Sequence, residues 1–271
     1  MNRMIPLPKK ILSGTSLTHP APNNTAGDSV SARLERAIER GAGGLMTLNN
    51  AEIQQALREM KEKHPEFTVL PVIPNVPEFV REATEYGMAG AGIRRLLRVG
   101  FMGAVRLGIF GVFKAPAVLL QRDFPTILSV LFELEMNEFR KFNPPAVFLQ
   151  NQMADLLLAL NNRRAFAMFA EQARDRYGAE PGVLTVNFVR MAEKLKEWDV
   201  KIRLICAPFN RDQFLMPDIG DVTGDESYAP ILESGKFQLI ADRISIHSPT
   251  PDDALEWALN SGAASSAIVS C

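Results

Sequence analysis

The sequence has few of the residues that carry out most enzyme chemistry. It contains 3 His and 2 Cys in 271 residues, so most catalytic and metal-binding signatures cannot be built from it. The two cysteines, Cys206 and Cys271, form neither a CxxC motif nor a zinc-ligand spacing. We expect them to be a core residue and a residue at the chain end rather than a disulfide.

Neither sign of charge is in excess. Lys and Arg total 30, Asp and Glu total 31, and the formal net charge is -1. Such a chain has no overall positive field to hold nucleic acid non-specifically, so nucleic acid is not an expected partner. The 46% hydrophobic and 23% charged content is that of a globular protein, and it excludes a disordered tail, a collagen-like fibre and a disulfide scaffold.

The sequence also lacks a long, uninterrupted hydrophobic run. Residues 101–121 are mostly apolar, but Arg106, Lys114 and Pro116 interrupt them, whereas a membrane-spanning helix needs about 20 residues with few or no charges. Residues 1–10 lack the apolar core of a signal peptide. We therefore expect no membrane span, a buried or lid-forming helix near residues 101–121, and a cytoplasmic protein with reduced thiols.

Short β-rich runs alternate along the chain with longer amphipathic runs. The predicted strands are residues 10–18, 44–48, 68–73, 146–149, 182–186, 202–207, 237–246 and 266–270. Apolar strands separated by amphipathic helices are typical of a parallel sheet covered by helices. Eight such units predict an α/β fold, a (β/α)8 barrel that forms a single domain over residues 1–271.

An open, doubly wound sheet is the alternative fold. The barrel is favoured because Gly14-Thr15-Ser16, after the first strand, does not form the GxGxxG pattern of a nucleotide-binding turn. No obvious helix follows the eighth strand. Another element, either an insertion helix or a partner, would then cover that flank of the barrel.

Residues 76–144 contain no convincing strand between the third and fourth β-units. They are predicted to form a helical insertion or lid at the rim that carries the site. Apolar side chains such as Phe101, Ile109 and Phe113 suggest that this segment either covers the site or joins two copies of the chain as a homo-oligomer.

Carboxamides occur at five consecutive strand ends, where barrels of this type hold their sites. They are Asn49, Asn75, Gln150, Asn187 and Asn210. A carboxamide donates and accepts hydrogen bonds and does not titrate. A ring of these side chains therefore predicts a substrate-binding mouth for a small polar ligand or a carbonyl intermediate. The alternative is that they cap helices and turns.

The remaining strand ends supply the reactive side chains. Ser16 and His19 follow the first strand, Asp242 lies in the seventh, and His247 comes soon after it. Because strands seven, eight and one are neighbours in a closed barrel, we predict His247, Asp242 and His19 as catalytic residues and Ser16 as a substrate-binding residue. Asp242 and Arg243 are adjacent in a predicted strand and are expected to point to opposite faces, with structural ion pairing as the alternative role of both.

No cofactor is indicated by a motif. His19, His247 and an acid could hold a metal ion, but their spacing matches no known signature. The lysines nearest the strands are Lys10, Lys201 and Lys236, all at strand starts. They lie at the wrong rim for Schiff-base chemistry, which is therefore not expected.

The second half of the chain resembles a family of aldolase-type TIM-barrel proteins of undefined function, found mainly in archaea and bacteria. The residues that carry the resemblance are Ala179-Glu180-Pro181-Gly182, Thr185-Val186-Asn187-Phe188, Lys194-Leu195-Lys196-Glu197-Trp198, Phe209-Asn210, Phe214-Leu215-Met216-Pro217, residues 236–241 and residues 252–257. The resemblance covers residues 145–271 well and the first half loosely. It implies the barrel but no reaction.

This chain departs from the family pattern at two places. A His-Asp pair at the end of strand four is replaced by Gln150-Asn151, and an Asn-Pro-Ser stretch by Pro217-Asp218-Ile219-Gly220. The loss of titratable residues puts inherited catalysis in question, whereas Asn187 and Asn210 match the pattern.

Two functional hypotheses follow. The first is an enzyme of the lyase or isomerase type that acts on a small polar carbonyl compound. In it, the amides position the substrate and its oxyanion, and His247 or Asp242 is the acid–base group. The second is a non-catalytic ligand-binding or oligomeric assembly protein on a barrel scaffold.

Overall fold

Eight parallel strands close a barrel in chain order. The computed structural model describes residues 5–18, 28–76, 78, 81, 84, 124–216, 224–244 and 250–270. The strands are β1 (Lys10–Ser13), β2 (Gly44–Leu48), β3 (Thr68–Ile73), β4 (Ala146–Leu149), β5 (Glu180–Leu184), β6 (Leu204–Pro208), β7 (Gln238–Asp242) and β8 (Ala264–Val269). Parallel pairing of β8 with β1 completes the closure. The predicted (β/α)8 barrel is confirmed.

Helices connect the strands and form the outer layer. They are α1 (Gly14–Thr18), α2 (Val30–Glu39), α3 (Ala51–Lys63), α4 (Phe124–Phe139), α5 (Asn151–Ala159), α6 (Arg163–Tyr177), α7 (Phe188–Glu197), α8 (Gly224–Glu233) and α9 (Pro251–Asn260). A 3-10 turn, Arg140–Phe142, follows α4. Several helices begin at side-chain caps, among them Ser29 before α2, Asn50 before α3 and Thr250 before α9. These caps satisfy backbone N–H groups that have no partner within the helix. In the part of the chain that the structure describes, no helix is long and apolar enough to span a membrane.

Alternate residues of the strands fill the barrel interior, as the period of a strand requires. The interior cluster includes Ile11, Met46, Leu70, Val72, Ala146, Phe148, Leu204, Cys206 and Ile240. Gly182 makes room for the largest of these side chains, because a Cβ atom at this position would lie 2.4 Å from the Phe148 ring. The interior is therefore a packed core that opens at the carboxyl ends of the strands.

The other strand face packs against the helices. Leu45, Val147, Ile205 and Leu239 belong to this larger, outer cluster, together with side chains of α3, α4, α6 and α7. Phe132 of α4 illustrates the packing, since its ring meets the ring of Phe169 edge-on with centroids 5.5 Å apart. Burying such aromatic side chains supplies much of the free energy that holds the helices on the barrel.

Part of the segment predicted to be an insertion is an ordinary helix of the outer layer. α4 lies within residues 76–144, yet it packs on α6 and β3, and the Glu135 carboxylate on α4 accepts the backbone N–H of Asn75 after β3. Residues 77, 79–80, 82–83 and 85–123 lie outside the described residues, so the prediction of a lid or an oligomer contact stays a prediction.

The amino-terminal end of the barrel is covered by the start of the chain. Gln238 on β7 accepts the backbone N–H of Ile5 at 2.9 Å and donates to the backbone oxygen of Ile5 at 3.0 Å. The Ile5 side chain packs against the interior cluster. The start of the chain therefore covers this end, and the carboxyl ends of the strands form the mouth at the opposite end.

Candidate functional site

A cavity of about 330 Å³ lies at the carboxyl ends of the strands. All eight strands or the residues that directly follow them contribute to its lining. The lining residues are Ser13, Thr15, Met46, Leu48, Val72, Gln150, Asn151, Leu184, Thr185, Val186, Cys206, Pro208, Asp242, Arg243 and Ile268. This mouth cavity is at the small end of the size range of ligand pockets, which are about 300–1,000 Å³.

Asp242 is the carboxylate of the mouth cavity. It is the last residue of β7 and shares the inward face with Gln238 and Ile240, as strand alternation requires. Its side chain is 35% exposed. Burial raises the pKa of this carboxyl group, and the backbone N–H and guanidinium of Arg243 oppose the rise. A carboxylate with a raised pKa is a stronger base than an ordinary carboxylate, which suits it to accept and return a proton.

Arg243 lines the same cavity as Asp242, so the prediction that the two side chains point to opposite faces was wrong. Arg243 follows the end of β7 and has φ 56°, in the left-handed region. This turn ends the alternation of the strand and brings the guanidinium Nε to 3.7 Å from Oδ2 of Asp242. The mouth cavity therefore holds a carboxylate and a guanidinium side by side.

Two carboxamides after β4 also line the mouth cavity. Gln150 caps α5, because its Oε1 accepts the backbone N–H of Met153 at 3.2 Å, and its Nε2 donates to Oδ1 of Asn151 at 2.9 Å. These contacts use one of the two Nε2 hydrogens of Gln150 and none of the Nδ2 hydrogens of Asn151. Both amides can therefore donate to a ligand oxygen in the mouth cavity.

The predicted ring of five amides is not assembled around the mouth cavity, because the other four lie outside its lining. Asn210 is buried and closes its own loop, donating to the backbone oxygen of Phe214 and accepting its N–H. Asn75 donates to the backbone oxygen of Asn49 and to Glu78, and Oδ1 of Asn49 accepts from Gln54. Asn187 is exposed where α7 begins. Loop and helix-cap hydrogen bonds thus explain most of these amides.

The other predicted site residues divide between the described and undescribed parts of the chain. Ser16 lies in α1, where its Oγ donates to the backbone oxygen of Ser13 at 2.7 Å; Ser13 and Thr15 line the mouth cavity instead. His19, His247 and Cys271 lie outside the described residues. Within the described ranges, no three His, Cys, Asp or Glu side chains could hold a metal ion together.

Hydrogen bonds to Asp155 on α5 fix the residues that follow β5 and line the mouth cavity. Oγ1 of Thr185 donates to Oδ1 of Asp155 on α5, and the same carboxylate accepts the backbone N–H of Val186 at 3.3 Å. Oγ1 of Thr185 also accepts the backbone N–H of Asn187 at 2.9 Å. The one O–H donor of Thr185 is thus used in shaping the wall. The sequence offered no signal for this contact, since Asp155 and Thr185 are 30 residues apart.

Cys206 forms part of the cavity floor, and the prediction that it is a core residue is confirmed. It is a free, buried cysteine on β6. Burial, and then the nearby Asp242 carboxylate, raise the pKa of this thiol well above its ordinary value. Cys206 is therefore a neutral, packed side chain and not a thiolate nucleophile.

Comparison with known proteins supports the fold. Neither a protein-family model nor a curated protein matches this chain. Solved structures do match, among them the crystal structure of a proposed 2,5-diketo-D-gluconic acid reductase B, with a TM-score of 0.51 and 12% sequence identity. The match covers 98% of this chain and 78% of that one. At this identity the likeness shows the barrel and not the reaction.

Proposed function

We propose that the chain is an enzyme that moves a proton at the carbon atom next to a carbonyl group in small polar compounds, in a lyase or isomerase reaction. The observation that carries this proposal is the position of Asp242. It is a carboxylate with a raised pKa, on the inner face at the carboxyl end of a barrel strand, and it lines the same cavity as the amides of Gln150 and Asn151.

The reaction needs only groups that the mouth cavity contains. The Asp242 carboxylate takes the proton from the carbon, and the electron pair of the C–H bond forms a C=C bond while the carbonyl π pair moves to oxygen. Amide N–H groups of Gln150 and Asn151 hold the resulting enolate oxygen. When the deprotonated carbon bears a hydroxyl group, the proton of that hydroxyl moves to the enolate oxygen and Asp242 returns its proton to the former carbonyl carbon, which completes an isomerisation. In an elimination, the enolate re-forms its carbonyl group and expels a leaving group from the carbon β to that carbonyl, and the departing group takes up the proton from Asp242.

Hydrogen–deuterium exchange at the carbon next to the carbonyl tests this proposal. Proton NMR would follow exchange in D2O for a panel of small hydroxy-ketones, 2-oxo acids and their amides. We expect the chain to accelerate exchange in at least one compound class and Asp242→Asn to lower that rate by roughly a hundredfold or more. Asp175→Asn, on the exposed surface of α6, is the matched control and should leave the rate unchanged. Equal rates for the two variants would refute the role of Asp242.

A non-catalytic ligand-binding protein is the second candidate. The observation in its favour is that only two of the described lining residues, Asp242 and Arg243, carry charge. This candidate predicts that a panel compound binds in the mouth cavity with no gain in exchange rate, and that Asp242→Asn binds it at least as well as the natural chain. Binding accompanied by exchange that requires Asp242 would exclude it.

A further inference from the structure

From the placement of Arg243 we infer that the substrate carries a carboxylate group directly beside its reacting carbonyl, as a small 2-oxo acid does. This inference rests on the function proposed above and names its substrate class. Three observations support it: the left-handed backbone of Arg243, the part of its guanidinium that the described residues leave unused, and its short distance from Asp242.

The backbone of Arg243 is held in an unfavourable conformation. At φ 56°, an L-residue with a side chain brings its Cβ atom close to the backbone, and glycine or asparagine is the usual occupant. An arginine here keeps a cation in the mouth cavity, where ordinary strand alternation would have turned it towards the helix layer. Residues held in such conformations cluster at functional sites.

The guanidinium of Arg243 is only partly used by the protein. Its Nε lies 3.7 Å from Asp242 Oδ2, too far for a good hydrogen bond, and the side chain is 40% exposed. Among the described residues, no other side-chain partner of Arg243 is seen. The two terminal nitrogens therefore remain to grip a ligand, and a guanidinium fork is matched to the two oxygens of a carboxylate.

Asp242 and Arg243 lie close enough for both to act on one small ligand, since Nε of Arg243 is 3.7 Å from Oδ2 of Asp242. Asp242 and Arg243 are consecutive residues on one wall of the mouth cavity. A ligand carboxylate bound to the terminal nitrogens of Arg243 would leave the adjacent carbonyl and the next carbon in the cavity that Asp242, Gln150 and Asn151 also line. In a 2-oxo acid that next carbon bears the acidic hydrogens. Arg243 is also the one cation among the described lining residues, so it is the group that would select an anion.

Binding of pyruvate and of its uncharged amide, pyruvamide, tests the inference. The two compounds have the same shape, and calorimetry on the full chain would compare them. We expect pyruvate to bind more tightly by roughly tenfold or more, because a charged donor pairs with a charged acceptor. The preference should shrink as salt is added. Equal affinity, or no pyruvate binding at all, would overturn the inference.

Three variants test whether Arg243 causes the preference for pyruvate over pyruvamide. Arg243→Asn removes the charge with a residue that tolerates the left-handed backbone, and it should lower pyruvate affinity about tenfold while leaving pyruvamide affinity unchanged. Arg243→Lys should retain part of the preference. Arg164→Gln, on the exposed surface of α6, is the control and should retain all of it. Unchanged pyruvate affinity in Arg243→Asn would show that the anion is held elsewhere. If that variant does not fold, the pyruvate and pyruvamide comparison on the natural chain decides.

The two proposals fail separately. Pyruvate binding that needs Arg243, without exchange that needs Asp242, would retain the anion site and refute the proton-transfer function. Exchange that needs Asp242, in neutral compounds as readily as in 2-oxo acids, would retain the function and refute the substrate class.

Discussion

At the scale of single residues, the mouth cavity depends on the last strand position of β7 and the residue after it. The sequence predicted Asp242 as a site residue because it is a charge within an apolar strand, and its inward direction follows from alternation. The direction of Arg243 could not be predicted in this way, because a left-handed backbone ends the alternation there. The same limit applies to the amides, since local hydrogen bonds to Phe214 and Asn49 decide where Asn210 and Asn75 point.

The raised pKa of Asp242 predicts a gain in stability when the charge is removed. In the folded state this carboxyl group binds its proton more tightly than in the unfolded chain, so its contribution to the free energy of unfolding falls as pH rises from about pH 4 through the raised folded-state pKa. Asp242→Asn does not titrate. It should therefore be more stable than the natural chain at neutral pH, by a margin that grows with pH across this interval.

Urea unfolding of the natural chain and of Asp242→Asn at a series of pH values measures this margin. Other titrating groups cancel in the difference between the two proteins. The partly exposed ion pair between Asp242 and Arg243 contributes little to the free energy of unfolding on its own. A margin that shrinks with rising pH would mean that the pKa of Asp242 is lowered, which would contradict the account of this residue.

At the scale of the elements, the connection from β3 to α4 is where the sequence was least informative. Hydrophobic periodicity located the strands because each is a short apolar run between turn residues. Within residues 76–144, apolar residues are so frequent that an outer-layer helix could not be told from an insertion. The contact that settles the position of α4 is a buried one between distant residues, the Glu135 carboxylate and the backbone N–H of Asn75.

Glu135→Gln should weaken this connection. Both carboxylate oxygens accept the backbone N–H of Asn75, at 2.9 and 2.8 Å, and the side chain is 4% exposed. An amide keeps one acceptor oxygen and adds a donor, so we expect a loss of about 1–3 kcal/mol in the free energy of unfolding. Amide hydrogen exchange at Asn75 should also become faster. Glu138→Gln on the same helix is the control, and equal effects of the two variants would argue against this role for Glu135.

At the scale of the whole molecule, the barrel has one end covered by the start of the chain and one end that carries the polar mouth cavity. The alternation of eight strand-like runs with amphipathic runs predicted a parallel sheet covered by helices, and the lack of a GxGxxG turn after the first run favoured a closed barrel over an open sheet. The lining of the mouth cavity was harder to predict. It is set by the side-chain directions at eight separate strand ends, and each depends on whether a loop, a cap or a left-handed residue follows.

Substitutions at the two ends should therefore separate stability from activity. Gln238→Ala removes both hydrogen bonds to the backbone of Ile5, so it should lower the free energy of unfolding by about 1–3 kcal/mol. It should also speed proteolysis near the amino terminus. The rate of hydrogen–deuterium exchange in the substrate, per folded molecule, should be unchanged. Asp242→Asn should raise stability and lower the rate of substrate exchange by roughly a hundredfold or more. A Gln238→Ala variant that folds but loses exchange activity would show that the two ends are coupled.

The most direct test of the account is where a substrate lies in the barrel. A crystal structure would be determined with the compound whose exchange the chain accelerates most. We predict density in the mouth cavity, with the reacting carbon facing Asp242 and the carbonyl oxygen within hydrogen-bond distance of Gln150 or Asn151. A second cavity, of about 450 Å³, lies at the opposite end of the barrel and is lined by Glu233, Lys236 and Gln238 among others. Density there, with the mouth cavity empty, would contradict the account.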